Sequence, residues 1–204
     1  MKPVAVITGD VIASTQITGE DRREMLECLQ AATKDAHHFM EDFTPEIFQG
    51  DSFQGYSDKN PSLALRESLQ IIMTMLRKNF GIRLSIGVGN MSFDGGTSNV
   101  SDGTAFRLSG RNLENLKKED QLIAVAFDDE IKNAEWQVHS ETLNYIIKRC
   151  SSLQAEAISE MIQGKTQVEA AEILQIKQPA VQQRLQASGW PLLQTILQRF
   201  ESQF

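Results

Sequence analysis

Cysteine is nearly missing from this chain: Cys28 and Cys150 are the only two among 204 residues, each set in an apolar, helix-like pattern. That excludes a disulfide framework and a thiolate metal site, and the expectation is a pair of reduced core thiols. Long apolar runs are lacking too. None approaches the roughly 18 residues that a membrane-crossing helix needs, and the N-terminus shows no charged region followed by a long apolar one. A soluble, cytoplasmic chain with no membrane partner is expected. Positive charge is in deficit as well: 20 Lys and Arg stand against 27 Asp and Glu, for a formal net charge of −7. Residues 151–204, with four basic and five acidic side chains, carry −1 of that total. Neither part of the chain therefore offers a broad basic surface to nucleic acid. What is present, 41% hydrophobic and 23% charged residues, suffices for one full-sized domain with a small appendage and excludes a disordered or fibrous chain.

Periodicity orders the elements. Val4-Ala5-Val6-Ile7 reads as a buried strand ending at Gly9-Asp10. From Thr18 to about Met40, apolar residues recur at three and four, with Thr18 and Asp21 as a capping pair, so one long helix is expected. Glu46-Ile47-Phe48 and Ser52-Phe53-Gln54-Gly55-Tyr56 flank Gln49-Gly50-Asp51, a hairpin with Asp51 at its tip. Asn60-Pro61 opens a second helix, Arg83 to Gly89 alternates as a strand, and Ser92 to Gly103 is a polar loop. Ala105 to Leu116 is helical, Leu122 to Phe127 a buried strand, and a helix runs from about Asp129 to Arg149. The order β-α-β-β-α-β, then α-β-α, predicts a mixed sheet with packed helices, close to a split βαβ arrangement.

At Ser151-Ser152 the composition shifts to glutamine, eleven among 54 residues, and the pattern becomes purely helical. Leu153 to Ile162 forms one helix closed by Gly164. Thr166-x-x-Glu169 is a capping box that starts a second. The turn Gln175-Ile176-Lys177 leads to Pro179 and a third helix with Val181 and Leu185 inward, the spacing of a helix-turn-helix. Two domains are expected, 1–150 and 151–204.

Asp10 and Asp51 are the candidate chemical pair. Each sits beside glycine, at a strand end or a hairpin tip, so adjacent strands would bring their carboxylates together. Converging carboxylates repel unless a cation neutralises them, and Mg²⁺ prefers hard oxygen ligands with phosphate completing its shell. The plainer reading is that both are turn aspartates capping backbone N–H groups. Arg107 and Arg111, four apart on a helix, are equally readable as a solvated face. His37, His38 and His139 are read as solvent-facing or helix-end residues.

Asp10-Val11-Ile12-Ala13-Ser14-Thr15 resembles the metal-binding segment of class III nucleotidyl cyclases. Gly50-Asp51-Ser52-Phe53 resembles their Gly-Asp hairpin, itself related to the Gly-Gly-Asp-Glu-Phe turn of diguanylate cyclases. Gly103, Arg107 and Arg111 fall where a cyclase carries Gly, Asn and a transition-state Arg. Together with Ile7-Thr8-Gly9-Asp10, Ile86-Gly87-Val88-Gly89 and Asp102-Gly103, these motifs resemble the SatD family over roughly residues 1–125. The resemblance implies a nucleotidyl-cyclase-like α/β (α+β) domain with a ferredoxin-like core. It implies Mg²⁺ or Mn²⁺ on Asp10, Asp51 and the Val11 carbonyl, and nucleotide phosphates at Arg107 and Arg111. Arg111 would be the catalytic residue if the domain is active. Arg107 stands where a cyclase keeps Asn, and Ile47 where a base-selecting Lys or Glu is frequent, departures that bear on cyclisation and purine selection.

The tail resembles the helix-turn-helix of sigma-factor-like and response-regulator DNA-binding domains. That implies Gln178, Gln182 and Gln183 at base edges and Lys165, Lys177 and Arg184 at phosphates. Three cations supply a small electrostatic term, so a homodimer is expected. The other reading of the tail is a small all-α module for dimerisation or packing, with Trp190, Leu192, Leu193 and Ile196 as its contact face. The favoured whole is a DNA-binding transcriptional regulator whose N-terminal domain senses a metal-bound nucleotide. Its rivals are a metal-dependent nucleotidyl cyclase or nucleotidyltransferase, and a protein-interaction module with a vestigial site.

Overall fold

The β-branched opening run forms β1 (Val4–Val11), which lies at the centre of a five-stranded sheet in the computed structural model of the protein. The structure describes residues 3–35, 39–48 and 50–204. β1 pairs antiparallel with β3 (Ser52–Ser57) on one side and with β4 (Ile82–Gly89) on the other. β2 (Glu46–Phe48) closes the hairpin with β3 at one edge, and β7 (Ile123–Phe127) lies parallel to β4 at the other. With α1 (Gly19–Gln30) and α2 (Ala64–Leu76), the first four strands form the expected β-α-β-β-α-β unit, in the sheet order β2-β3-β1-β4. The parallel step from β4 to β7 needs a crossover, and α3 (Thr104–Glu119) provides it.

Alternation along β1 assigns the two faces. Ala5, Ile7 and Val11 enter the main core with Met25 and Leu29 of α1 and Leu65 and Leu69 of α2. Val4 and Val6 pack on Ala105 and Phe106 of α3, so Thr8 and Asp10 continue along that second face. Helix α3 can lie this close because Gly87 has no side chain: a Cβ there would stand 2.2 Å from the Ala105 carbonyl oxygen and 2.7 Å from the Ser109 nitrogen. Thr8 and Ser109 join hydroxyls across the contact at 2.6 Å.

Three element expectations are corrected. The helix expected from Thr18 to about Met40 is α-helical only to Gln30, with a π-type turn over Ala31–Asp35. Thr33 turns its hydroxyl back onto the Leu29 carbonyl at 2.7 Å, a local bond that competes with the helical ladder. Thr18 is the N-cap residue but its side chain makes no capping bond, and the following Gly19 has a φ of 63°. Ala36, His37, His38 and Gln49 lie outside the described residues. Pro61 begins a 3-10 turn, Pro61–Leu63, ahead of α2. The polar loop holds two short paired strands, β5 (Met91–Phe93) and β6 (Asp102–Gly103), and is strapped to the hairpin by Ser98 Oγ donating to Glu46 Oε2 at 2.7 Å and Tyr56 donating to Asp94 at 3.1 Å.

Helix α4 (Glu130–Ile147), capped by Asp129, runs along β7. Its Asn144 Oδ1 accepts from the N–H groups of Leu122 and Ile123, its Ser140 hydroxyl from Val125, and its Asn133 Oδ1 from Phe127. The tail follows as α5 (Ser152–Ile162), α6 (Gln167–Ile173), α7 (Gln178–Ala187) and α8 (Trp190–Glu201), with the expected Thr166–Glu169 capping box in place. Ala155, Ile158, Leu193 and Phe200 share one hydrophobic cluster with the sheet. Gln70 bonds Ser159 at 2.9 Å, and Arg66 pairs with Glu201 at 2.7 Å. Cys28 and Cys150 are free, and burial pushes the Cys150 thiol up to about 11, consistent with an inert core residue. Among the described residues no helix is long and apolar enough to cross a membrane.

Candidate metal and nucleotide site

Register brings the two candidate carboxylates together. Asp10 pairs with Ser52 across β1 and β3, and Asp51 precedes Ser52 at the hairpin tip. The Ser52 hydroxyl lies 2.9 Å from Asp10 Oδ1 and 3.4 Å from Asp51 Oδ1, so one donor bridges both carboxylates. Ser14 donates to the other oxygen of Asp51. Its position follows from Ala13, which takes a left-handed conformation (φ 54°) at the end of β1 and leads into a short 3-10 turn. Among the described residues both carboxylates take hydroxyl donors, not the backbone N–H groups that turn-capping aspartates would hold.

Val11 donates its N–H to the Asp51 carbonyl at 2.9 Å. A strand residue aims its N–H and C=O at the same neighbour, so the Val11 carbonyl also faces the hairpin. The N–H that would close the reciprocal bond, that of Asp51, goes to the Phe48 carbonyl at 3.3 Å. The donor set here is two carboxylates with a backbone carbonyl alongside, all hard oxygen. It suits Mg²⁺ or Mn²⁺, which take one or two carboxylates and fill the remaining positions with phosphate and water. Among the described residues no group of three or more His, Cys, Asp or Glu side chains is placed to hold a metal ion.

Cations border the pair. Lys117 of α3 reaches to 3.7 Å from Asp10 Oδ2, whose side chain is 17% exposed, and to 3.2 Å from Glu114. Arg22 of α1 donates to the Ser14 carbonyl at 3.0 Å. Arg83 lies directly across β4 from Asp10 and makes a long pair, 3.9 Å, with Asp120. Sequence reasoning missed Ser14, Ser52, Arg22 and Lys117 as members of the site. The two serines stand inside the quoted motifs and could have been read as hydroxyl donors, whereas Lys117 is brought to Asp10 only by the packing of α3.

Arg107 and Arg111 are placed elsewhere within one chain. Arg107 pairs with Asp102 at 2.9 Å. Both arginines border a recess of about 280 Å³ with Thr104, Phe127 and Asp128. Arg111 also lines a groove of about 340 Å³ between α3, β7 and α4, with Asn112, Asn115 and Gln137. In the tail, Lys165, Lys177, Gln182 and Gln183 are exposed. Gln178 donates to Gln167 at 2.7 Å, and Arg184 holds Glu156 at 3.0 Å and the Leu153 carbonyl at 3.2 Å. His139 sits 3.5 Å from Glu135 and against the Trp136 ring.

No family model and no curated protein matches the chain. Solved structures similar to it include a bacterial light-regulated adenylyl cyclase, at 18% identity and a TM-score of 0.44 over 61% of this chain and 75% of that one. The active GGEEF domain of a diguanylate cyclase from Vibrio cholerae is similar at 17% identity and a TM-score of 0.44, over 63% and 85%. A guanylyl cyclase is similar at 18% identity and a TM-score of 0.41, over 61% and 74%.

Proposed function

We propose that the sheet domain is a nucleotidyl-cyclase-like module of SatD type that binds a nucleotide through Mg²⁺ or Mn²⁺ held by Asp10, Asp51 and the Val11 carbonyl. The observation that carries this reading is the convergence of Asp10 and Asp51 on one serine hydroxyl. Two carboxylates that share one hydroxyl repel when both are charged, and Lys117 reaches only Asp10. A divalent cation bound there would neutralise phosphate charge and, where turnover occurs, ease deprotonation of an attacking hydroxyl. Ser14 and Ser52 orient the carboxylates, and Lys117 and Arg22 stand at the rim as partners for phosphate oxygens. Arg107 and Arg111 open onto the other flank of α3, so a role for them at this site requires a second copy of the chain.

A thermal-shift panel of nucleoside triphosphates, cyclic nucleotides and linear signalling nucleotides tests the reading. Stabilisation is expected only with Mg²⁺ or Mn²⁺, about 2.7 kcal/mol at a hundredfold excess over Kd, and it should vanish in Asp51→Asn. Equal melting temperatures with and without every nucleotide would refute metal–nucleotide binding here. Release of pyrophosphate that is abolished by Asp10→Ala separates an enzyme from a sensor.

A second reading adds DNA contact by the tail, supported by the exposed Lys177, Gln182 and Gln183 on and before α7. Arg184, engaged with Glu156, adds little to phosphate contact. Duplex binding in a salt titration tests it: anisotropy that stays flat even at low salt removes the regulator and leaves the nucleotide module.

A further inference from the structure

Helix α4 carries apolar side chains on both of its faces, and one chain uses only one of them. Trp136, Leu143, Ile146 and Ile147 are buried against the sheet and the tail. On the opposite face Ile131, Val138 and Tyr145 are 84%, 66% and 62% exposed. They recur every seven residues, the repeat that keeps one edge of a helix turned toward a neighbouring helix. Ala134, at three from Ile131 and four from Val138, is exposed beside them. Exposed apolar side chains gathered along one edge of a helix mark a surface for a partner.

The distribution of charge identifies the partner. Val138 lies midway between Ile131 and Tyr145. Before the stripe stand the exposed acids Asp128, Asp129 and Glu130, and after it the exposed bases Lys148 and Arg149. Reversing the helix about Val138 lays Ile131 on Tyr145 and the acidic end on the basic end. The stripe is therefore complementary to itself in the antiparallel sense, the property an isologous two-fold interface needs. Antiparallel helix dipoles add to the match of the charged ends. Arg149 lies 3.7 Å over the Tyr145 ring, which holds it at the C-terminal end of the seam, and Lys148 is 3.8 Å from Asp120. Lys132 and Glu135 flank the stripe but are engaged within the chain, by Gln203 and by Arg199.

We propose that this stripe is the seam of a homodimer in which α4 packs antiparallel against α4 of a second copy, with the two-fold axis beside Val138. The seam stands independently of the metal site.

Sedimentation velocity over a wide concentration range, together with cysteine cross-linking, tests it. The wild-type chain should sediment at twice the chain mass and Val138→Glu at the chain mass, with near-ultraviolet circular dichroism unchanged because Val138 is largely exposed. Under mild oxidation Val138→Cys should cross-link to itself. Ile131→Cys and Tyr145→Cys should cross-link when mixed but not alone. Wild type, which carries Cys28 and Cys150, is the control. A wild-type chain that stays monomeric throughout overturns the proposal, even if the stripe captures some other protein. So does a dimer that survives Val138→Glu, and so do self-cross-links of Ile131→Cys and Tyr145→Cys, which would mean a parallel pair.

Discussion

Asn144→Ala is expected to destabilise the fold by about 4 kcal/mol, since each buried backbone group stripped of its partner costs roughly 1–3 kcal/mol. The Asn144 amide, 3% exposed, accepts from Leu122 N at 2.6 Å and Ile123 N at 3.1 Å, and donates to the Ile123 carbonyl at 2.7 Å and the Ser140 carbonyl at 2.8 Å. The two bonds to Ile123 stand where a further strand would pair with β7, the edge of the sheet, so the helix both satisfies the edge and closes it to another chain. Urea denaturation of Asn144→Ala and Asn144→Leu gives the answer. Leucine restores volume but no hydrogen bond, so both variants should lose stability at a similar slope with denaturant. If leucine returned wild-type stability, packing and not edge capping would be the role of this residue. Ser140→Ala removes one acceptor, for Val125 N, and should cost a fraction of that amount.

Such a residue is hard to read from sequence, and the reason is physical. In α4 the polar Asn133, Ser140 and Asn144 look like interruptions of an apolar stripe, because only the neighbouring strand supplies the unpaired groups that they serve. The order of the five main-sheet strands and their helices was legible, since alternation in Arg83–Gly89 and the breaks at Gly9-Asp10 and Gly50-Asp51 are local signals. The meeting of Asp10 with Asp51 was legible for the same reason: both sit at chain reversals on strands that pair. Lys117 was not, because its approach to Asp10 depends on how far α3 sinks onto β4, and that distance is set by Gly87. The π-type turn after Gln30 was also hidden, because Thr33 fits the apolar spacing and reveals itself only by bonding the Leu29 carbonyl.

Glu67 should make stability fall as pH rises through neutrality. It lies on α2 with no solvent exposure, and burial pushes its carboxyl up to about 7, against the N–H groups of Phe39 and Met40, which lower it. The folded state thus holds the proton more tightly than the unfolded chain, where the ordinary value is 4.5. The stabilisation is full below about 4.5, declines as pH rises, and is lost once pH passes about 7. A rise of that size corresponds to roughly 3 kcal/mol. Glu67→Gln keeps the shape of the protonated acid and cannot ionise, so it should match wild type near pH 4.5, exceed it at pH 8, and flatten the profile between those limits. Chemical denaturation of both proteins at a series of pH values reads the difference directly. Parallel profiles would mean that Glu67 stays ionised in the folded protein, with its charge met by the backbone of the segment at Phe39 and Met40.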